Sequence, residues 1–485
     1  MGKILGHLNP SDVFNHFEEI CKYPRPSKKE EKIAEYVKSV GKRNNLETLT
    51  DKFGNILIRK AASPGMENLK TVCLQGHIDM VCEKNRDVEH DFDNDPIIPY
   101  VDGNWIKAKG TTLGADNGIG VATALAVLED KSLVHGPIEC LFTLDEETGL
   151  TGASSLKSGF LKADILINMD SEEEGSLYIG CSGGKNTQAK FKFSPEKTPG
   201  GSSAYEIKVA GLRGGHSGLE IHTGRANGIK ILTRLLWSFA KEYKIRLAKI
   251  EGGNKHNAIP REAFAVVTVS KSSDKALKKF VKKFNETVKA ELATNEPDLN
   301  ISISKHAMPS KVIDPKTQRK LLNALYAVPH GVITMSPDIP GLVETSTNLA
   351  TIVTEGKNVN IVTSQRSSVA SEIIDIVNMV SSVLELAGAD LTYGDGYPGW
   401  KPDVHSQILG VMKSTYNNMF GKDPEIKAIH AGLECGIIGE KHPGMDMISF
   451  GPTMFDVHSP AEKLKIDSVP LFYDLLKNVL KNIPK

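Results

Sequence analysis

The chain has 485 residues, of which 40% are hydrophobic and 24% are charged, and its 59 Lys and Arg residues balance 59 Asp and Glu residues. This length exceeds what one hydrophobic core usually organises, so we expect two domains or one domain with a large insertion, and the zero net charge argues against nucleic acid as a partner. No apolar run approaches the roughly 20 residues needed to cross a membrane, and six cysteines without a C-x-x-C pair predict a reducing, cytoplasmic location.

The first third of the chain alternates strand-like and helix-like segments. Four apolar runs have the length and composition of buried strands, and they lie at 55–59, 71–75, 138–144 and 164–169. The segment ADNGIGVATALAVLED, after the second of these runs, reads as a helix. This order predicts an α/β fold.

The same pattern resumes near the C-terminus, where VHSQILGVMKSTYNNMF predicts a helix and MDMISFG a strand. We therefore expect residues 1–185 and 398–485 to form one discontinuous domain with a mixed sheet. Residues 186–397 would then be an insertion, with α+β texture that repeats loosely in two halves. The sequence thus predicts an inserted, doubled lid domain.

Residues that can bind metal follow these predicted strands. His77 and Asp79 come after the run at 71–75, and two residues of separation allow their side chains to point to the same side. Taken alone, an H-x-D sequence is more often part of a structural hydrogen bond. Acidic side chains after a strand also commonly cap helices, so each residue has a simpler interpretation by itself.

The joint pattern is more informative than any one motif. Asp116 opens the predicted helix, Glu146 and Glu147 follow the run at 138–144, and Asp170 follows the run at 164–169. The carboxyl ends of strands in an open α/β sheet converge on one crevice, so these side chains can meet. His458, after the late strand, would add a second imidazole, and such a set suits zinc, cobalt or manganese.

Several longer motifs resemble those of one enzyme family. The strings are HIDM, GTTLGADNGIG, DEETG, NMDSEEEG, GGHSG, GGNKHNAIPREAFA, HAGLECG and GPTMFDVHSP. They resemble the aminoacyl-histidine dipeptidases, also called cytosol non-specific dipeptidases, which belong with carboxypeptidase G and the aminoacylases among the two-zinc exopeptidases. The resemblance spans nearly the whole chain.

The resemblance implies a two-metal centre in which Asp116 bridges both ions. His77 and Asp170 would complete one site, and Glu147 and His458 would complete the other. Zinc is the first expected metal, with cobalt or manganese as alternatives.

Two further acidic residues take catalytic roles by the same resemblance. Asp79 would orient His77, since a carboxylate behind an imidazole ligand fixes its tautomer. Glu146 would be the general base that takes a proton from the attacking water and returns it to the leaving amine.

The insertion supplies the remaining expected site residues. The resemblance implies that His216 stabilises the oxyanion, and that Asn257 and Arg366 hold the substrate, with Arg366 bound to its free carboxylate. Backbone amides near Gly432 could bind the same carboxylate, although a tight helix start explains that motif equally well.

The predicted activity is metal-dependent hydrolysis of dipeptides with broad specificity, including Xaa-His and carnosine-like substrates. An N-acyl amino acid amidohydrolase would use the same metals, and a metal-binding scaffold without turnover is the alternative from another class. Dipeptides are thus the expected partners, without nucleic acid or membrane. Both a monomer and a homodimer are compatible with the sequence.

Overall fold

The chain forms two compact units in the computed structural model, which describes residues 4–485. Residues 1–3 of the predicted 1–185 segment lie outside the described part. The first unit comprises the chain up to Cys181, Trp400–Ala428 and Leu433–Lys485, and the second comprises Ser182–Gly399 and Ile429–Gly432. The sequence predicted one continuous insertion at 186–397, whereas the short segment Ile429–Gly432 also groups with the second unit.

An eight-stranded sheet forms the centre of the first unit. In order across the sheet, its strands are Glu47–Thr50, Ile56–Lys60, Ile138–Thr143, Val72–His77, Ile165–Asn168, Asp446–Ser449, Ser176–Cys181 and Glu425–Ile429. The four strands from Ile138–Thr143 to Asp446–Ser449 run parallel, and antiparallel pairs flank them. The predicted α/β fold with a mixed sheet is confirmed.

The three central strands that the sequence predicted are buried along their whole length. Val72–His77, Ile138–Thr143 and Ile165–Asn168 expose no residue. Strands covered on both faces need continuous apolar runs rather than alternating ones, and these segments supply them. The parallel order places the carboxyl ends of all three strands at one edge, where the predicted metal-binding residues follow.

Helices cover both faces of this sheet. The helices of the first unit are Ser11–Ile20, Glu31–Arg43, Ala115–Glu129, Thr151–Ser155, Gln407–Phe420, Glu434–Lys441 and Ser468–Lys481. Ala115–Glu129 is buried along nearly its whole length, because small and aliphatic residues surround its axis. A four-stranded sheet of Met454–Phe455, Lys463–Lys465, Trp105–Ala108 and Pro99–Asp102 completes the unit.

A buried chain of hydrogen bonds crosses the carboxyl ends of the parallel strands. Ser449 donates to Asn168 Oδ1 at 2.5 Å, Asn168 donates to Gln75 Oε1 at 2.6 Å, and Gln75 donates to Glu434 Oε2 at 2.5 Å. Thr143 also donates to Glu434, at 2.7 Å. Every bond points toward the carboxylate of Glu434, so the chain ties four strands together with a single polarity.

The second unit is built on a larger antiparallel sheet. Its strands run in the order Asn300–Lys305, Ser202–Ala210, Ala263–Ser270, Ile245–Gly252, Val343–Glu355, Asn358–Ser367, Gly183–Lys192 and Asp390–Tyr393, and Gly331–Met335 also pairs with Val343–Glu355. The helices are Gly228–Glu242, Asp274–Glu291, Pro315–Ala327 and Ala370–Leu386, with a 3₁₀ turn at Lys271–Ser273. Two short ladders, Pro195–Lys197 with Lys311–Ile313 and Gly215–His216 with Ala258–Ile259, accompany them.

The core of the second unit lies where its helices pack on this sheet. Leu232, Leu236 and Phe239 of the first helix are buried there with apolar residues of the strands. Asn227 caps that helix, because its Oδ1 accepts from the backbone N–H groups of Ile229 and Lys230 at 2.9 and 3.2 Å. Among residues 4–485, no helix has both the length and the apolar character needed to span a membrane.

Candidate active site

Five predicted metal-binding side chains converge at the carboxyl edge of the parallel strands. His77 Nε2 lies 3.2 Å from Asp116 Oδ1 and 3.3 Å from Asp170 Oδ1. His458 Nε2 lies 3.0 Å from the other oxygen of Asp116 and 3.2 Å from Glu147 Oε1. The Asp116 carboxylate thus contributes one oxygen to each of two sets of possible metal-ligand atoms, called donor groups below. One contains His77 and Asp170, and the other contains Glu147 and His458.

Local structure brings these residues together. His77 ends its strand, and Asp170 lies two residues beyond the end of Ile165–Asn168. Asp116 sits at the start of Ala115–Glu129, where its peptide bond to Asn117 is cis. His458 adopts a positive φ of 62°, in the loop after the short strand Met454–Phe455.

The donor atoms fit a metal ion. In each of the two groups, the nitrogen and oxygen atoms lie within 4.8 Å of one another. Glu147 Oε1 and Asp170 Oδ1 are buried and have no hydrogen-bond partner among the described residues. A buried carboxylate oxygen without a partner is costly, and a cation would satisfy it. Imidazole nitrogen with carboxylate oxygen is also the ligand chemistry of zinc, cobalt and manganese.

The raised pKa values of several residues in this cluster show that the site favours bound positive charge. Contacts with Asp116 and Glu147 raise the pKa of His458 to about 11. Burial opposes protonation of His77, but Asp170 and Asp116 together raise its pKa well above the usual range. Burial raises the pKa of Asp170 to about 8. Bound metal would replace these protons, because ligands bind metal in their deprotonated forms.

Asp79 lies behind the cluster and is fully buried. Its Oδ1 lies 3.2 Å from Nδ1 of His77, the ring nitrogen that faces away from the donor groups. Its oxygens also accept from Ser27 Oγ at 2.7 Å and from the backbone N–H groups of Glu146 and Glu147 at 3.1 and 3.2 Å. These contacts lower its pKa to about 2 although burial acts in the opposite direction. Asp79 is therefore an ionised carboxylate that lies close to the imidazole of His77 and accepts from the backbone of both glutamates.

Glu146 is half-buried among other acidic groups. Burial, reinforced by the negative charges of Asp170 and Glu147, raises the pKa of Glu146 well above the usual range. A carboxylate with raised pKa accepts protons more readily at neutral pH. Glu146 also shares a third possible donor group with His77 and Glu147, whereas Glu147 alone joins the group of Asp116 and His458.

His216 of the second unit has a defined tautomer. It lies in the short strand Gly215–His216, and its Nδ1 accepts from the backbone N–H groups of Gly218 and Leu219 at 3.2 and 3.0 Å. The ring proton must therefore be on Nε2. Burial, with a contribution from the positive charge of Arg366, lowers the pKa of His216 to about 4. At neutral pH, this imidazole is an uncharged hydrogen-bond donor.

Arg366 and Gly432 lie in one polar cluster of the second unit. Arg366 is buried and donates to the Tyr397 hydroxyl at 3.0 Å, while its Nε has no partner among the described residues. A Cβ on Gly432 would come within 2.8 Å of the Tyr397 ring, so the backbone approaches that ring closely. Asn257 is exposed, and its carbonyl accepts from the Ser217 N–H at 2.8 Å.

Two members of this cluster were not predicted from the sequence. His430 is buried, its Nε2 lies 2.7 Å from Ser346 Oγ, and its Nδ1 has no partner within residues 4–485. Burial and the nearby charge of Arg366 lower its pKa to about 3. Tyr397 is the other. His430 opens the HAGLECG string, whereas Tyr397 has no sequence signal of its own.

The sequence analysis also missed buried groups of the first unit. Glu434 accepts two hydrogen bonds, and burial raises its pKa to about 7. Arg25 and Glu462 are nearly inaccessible and bind the backbone around Asp116. Their roles depend on the path of loops, which the sequence pattern does not show.

One peptidase family model and two near-full-length relatives named as dipeptidases match this chain. Residues 73–482 match the model of peptidase family M20/M25/M40. The chain is 45% identical over 480 residues to the cytosol non-specific dipeptidase of Escherichia coli (strain K12), and the match covers 99% of both chains. The crystal structure of aminoacylhistidine dipeptidase from Vibrio alginolyticus, also 45% identical, has a TM-score of 0.93 and covers 99% of this chain and 98% of that one.

More distant structures share the fold alone. The crystal structure of aminopeptidase PepT from Bacillus cereus is 15% identical and has a TM-score of 0.59, with 99% of this chain and 100% of that chain covered. The near-complete matches at 45% identity confirm the resemblance inferred from the motifs. This chain therefore belongs to peptidase family M20/M25/M40.

Proposed function

We propose that this chain is a metal-dependent dipeptidase. The observation that carries the proposal is the position of Asp116, whose two oxygens lie 3.2 and 3.0 Å from the imidazoles of His77 and His458. One carboxylate shared between two donor groups is suited to a two-metal hydrolytic centre. Relatives named as dipeptidases match 98–99% of their own length to this chain at 45% identity, which supports the same substrate class.

The metal ligands in this proposal are the five converging residues. Asp116 would bridge both ions, His77 and Asp170 would hold one, and Glu147 and His458 would hold the other. Zinc is the proposed metal, because it binds imidazole and carboxylate ligands, with cobalt and manganese as alternatives. Two bound ions would polarise the substrate carbonyl and lower the pKa of a water molecule.

Glu146 would move the proton in the reaction. Its carboxylate takes a proton from the attacking water and then donates it to the nitrogen of the leaving amine, so no covalent enzyme intermediate is needed. The contact from its backbone N–H to Asp79 fixes the position of the residue. The raised pKa of Glu146 matches a group that must both accept and donate a proton near neutral pH.

Residues of the second unit would bind the substrate. We assign His216 to the oxyanion, because its fixed tautomer presents a neutral Nε2–H donor. We assign Arg366 to the free carboxylate of the dipeptide, because its buried guanidinium keeps an unused donor at Nε. Asn257 and the backbone at Gly432 are proposed to assist in substrate binding.

The proposed setting is the cytoplasm, as for the relative named as a cytosol dipeptidase. A broad range of dipeptides is the proposed substrate class, including Xaa-His and carnosine-like compounds, and the active form would be a monomer or a homodimer. Sedimentation at catalytic concentrations distinguishes the two assemblies.

A substrate panel with zinc-loaded protein tests the proposal. We expect hydrolysis of unmodified dipeptides, and much slower hydrolysis after acetylation of the amino terminus or amidation of the carboxyl terminus. The metal-free protein serves as the control and should be inactive. Faster turnover of N-acyl amino acids than of dipeptides would identify an amidohydrolase instead. If the protein binds stoichiometric metal but hydrolyses no compound of the panel, it is a metal-binding scaffold without turnover.

A further inference from the structure

The backbone just before Asp116 is held by one buried carboxylate. Glu462 Oε2 accepts from the N–H groups of Leu113 and Gly114 at 2.7 and 2.9 Å. Its Oε1 accepts from Ala115 at 2.8 Å and from Asp116 itself at 3.4 Å. Only 2% of Glu462 is exposed. Four successive N–H groups of this irregular segment are therefore satisfied by a single side chain.

A buried cation holds the opposite side of the same segment. Arg25, also 2% exposed, donates to the Gly114 carbonyl at 2.5 Å and to the carbonyls of Asp79 and Ile78 at 2.8 and 3.3 Å. The rigid fork of a guanidinium thus joins the loop before Asp116 to the loop after His77. Gly114 makes this approach possible, since a Cβ there would lie within 3 Å of the guanidinium.

Glu462 also belongs to the segment that carries His458. Its own N–H donates to the Ser459 carbonyl at 3.0 Å, which closes a turn between the histidine and the glutamate. One residue therefore connects the backbone of Asp116 to the segment of the imidazole that Asp116 contacts. A shift of Glu462 would change the distance between these two side chains.

The charge on these two groups is costly for folding. Burial of a charged group is unfavourable unless hydrogen bonds replace its lost hydration, and here backbone groups supply those bonds to both residues. A bridging carboxylate, however, must place each oxygen against a different imidazole, and small displacements weaken such a centre. Charge-assisted hydrogen bonds are short and strong, which suits them to fixing position.

We propose that Glu462 and Arg25 are positioning residues that hold Asp116 between His77 and His458 and thereby set the metal affinity of the site. Neither side chain belongs to the two donor groups. The inference rests on the proposed function only in requiring that those groups bind metal. It assigns a role to two residues that lie outside the proposed metal-ligand and substrate-binding sets.

The test compares metal affinity in two buried glutamate variants. In Glu462→Gln, the new NH₂ group faces backbone N–H donors, so the loop must shift. We expect zinc affinity to fall by about 10- to 100-fold, the usual effect of losing a partner behind the ligands. Metal-free full-length protein is titrated with Zn²⁺ against a chromophoric chelator, so the readout does not depend on activity.

Glu139→Gln is the matched control. Glu139 is also 2% exposed and accepts from the backbone N–H groups of Lys162 and Ala163 at 2.9 and 3.1 Å and from Arg59 at 2.8 Å. It lies at the amino end of its strand, opposite to the edge that carries the metal-binding residues. We expect Glu139→Gln to lose stability while its zinc affinity stays within twofold of the parent value.

The outcomes separate positioning from general destabilisation. Parent-like zinc affinity in Glu462→Gln, or an equal loss in Glu139→Gln, would overturn the proposal. If Glu462→Gln does not fold, Arg25→Lys decides by the same criterion, because lysine keeps the charge but cannot span the carbonyls of Gly114 and Asp79. A parent chain that binds zinc but hydrolyses no dipeptide would refute the proposed function and leave the affinity comparison valid. A parent without zinc binding would refute both.

Discussion

Glu146 and Glu147 are adjacent, but their contacts predict different mutant behaviour. Glu147→Ala removes a proposed ligand that lies 3.2 Å from His458 Nε2, so metal content and activity should fall together and added metal should restore part of the activity. Glu146→Ala keeps every proposed ligand, and we expect turnover to fall at least ~10²-fold with metal content unchanged. Elemental analysis beside kcat for both variants checks this.

A different outcome of these two variants would contradict the assignment of Glu146 as the base. Glu146 shares a donor group with His77 and Glu147, so a metal held there would make Glu146 a ligand. In that case Glu146→Ala would lose metal as Glu147→Ala does, and metal content would no longer distinguish the two variants. A folding defect would differ from both patterns, because it would lower the unfolding temperature of the metal-free variant as well.

His216 should act as a neutral donor over the whole working range. Because its pKa is lowered to about 4, the imidazole stays uncharged above that pH, and the Nε2 proton remains in place as the pH rises. We expect His216→Ala to lower kcat by about 10²- to 10³-fold by the same factor from pH 5 to pH 8, with unchanged metal content.

The exposed His306 of the same unit provides the control, since its Nδ1 lies 2.7 Å from the carbonyl oxygen of its neighbour Ala307. His306→Ala should keep the parent kcat at every pH. A kcat loss in His216→Ala that appears only on one side of pH 6.5 would instead indicate a titrating acid or base at this position.

The hydrogen-bonded chain across the parallel strands should contribute to stability as a unit. Asn168→Ala leaves Gln75 Oε1 without its donor and Ser449 Oγ without its acceptor, so we expect the free energy of unfolding to fall by about 2–4 kcal/mol. Ser171→Ala removes only the end of the chain, a hydroxyl 2.7 Å from Ser449, and should cost about 1 kcal/mol. Urea unfolding measures both, and equal losses would show that the chain does not act jointly.

The strands that carry the site could be predicted because their chemistry is simple. Strands buried on both faces require apolar runs, and polar residues directly after such runs, such as Asp170, lie at the edge where parallel strands end. The contacts of Glu462 and Arg25 with the backbone around Asp116 could not be predicted in this way. Both side chains bind backbone groups, and every residue type carries those groups, so no residue pattern indicates the contact.

The order of strands in the sheet also could not be predicted from the sequence. The runs at 138–144 and 71–75 are neighbours in the sheet although a long segment separates them, and Asp446–Ser449 pairs beside Ile165–Asn168. Apolar runs of similar composition do not specify which strand pairs with which. The pattern placed His458 after a late strand of the same domain, and the resemblance to a family then assigned it to the second metal site.

Removal of metal should destabilise the first unit selectively. All five proposed ligands belong to that unit, and a ligand at 100 times its Kd contributes about 2.7 kcal/mol to the folded state. We expect calorimetry of the full chain to show two transitions, of which chelation lowers only one. A uniform shift of both transitions would contradict this.

Two glutamate variants identify the transitions. Glu139→Gln perturbs the first unit and should lower the same transition as chelation. Glu296 of the second unit is buried and accepts from the N–H groups of Arg213 and Ala226 at 2.8 Å each, so Glu296→Gln should lower the other transition. If Glu296→Gln instead lowered the transition that chelation lowers, the transitions would not correspond to the units.

The parallel pairing of Asp446–Ser449 with Ile165–Asn168 has a consequence for synthesis on the ribosome. Ser449 and Asn168 are 281 residues apart in the chain, a distance that takes about 15–60 s to translate. All paired strands of the nine-stranded sheet lie within Gly183–Tyr393, so that sheet can close during this interval. Ser176–Cys181 must wait, because both of its neighbours emerge later. We expect the nascent first unit to present open strand edges throughout this period, which is the condition under which chaperones bind.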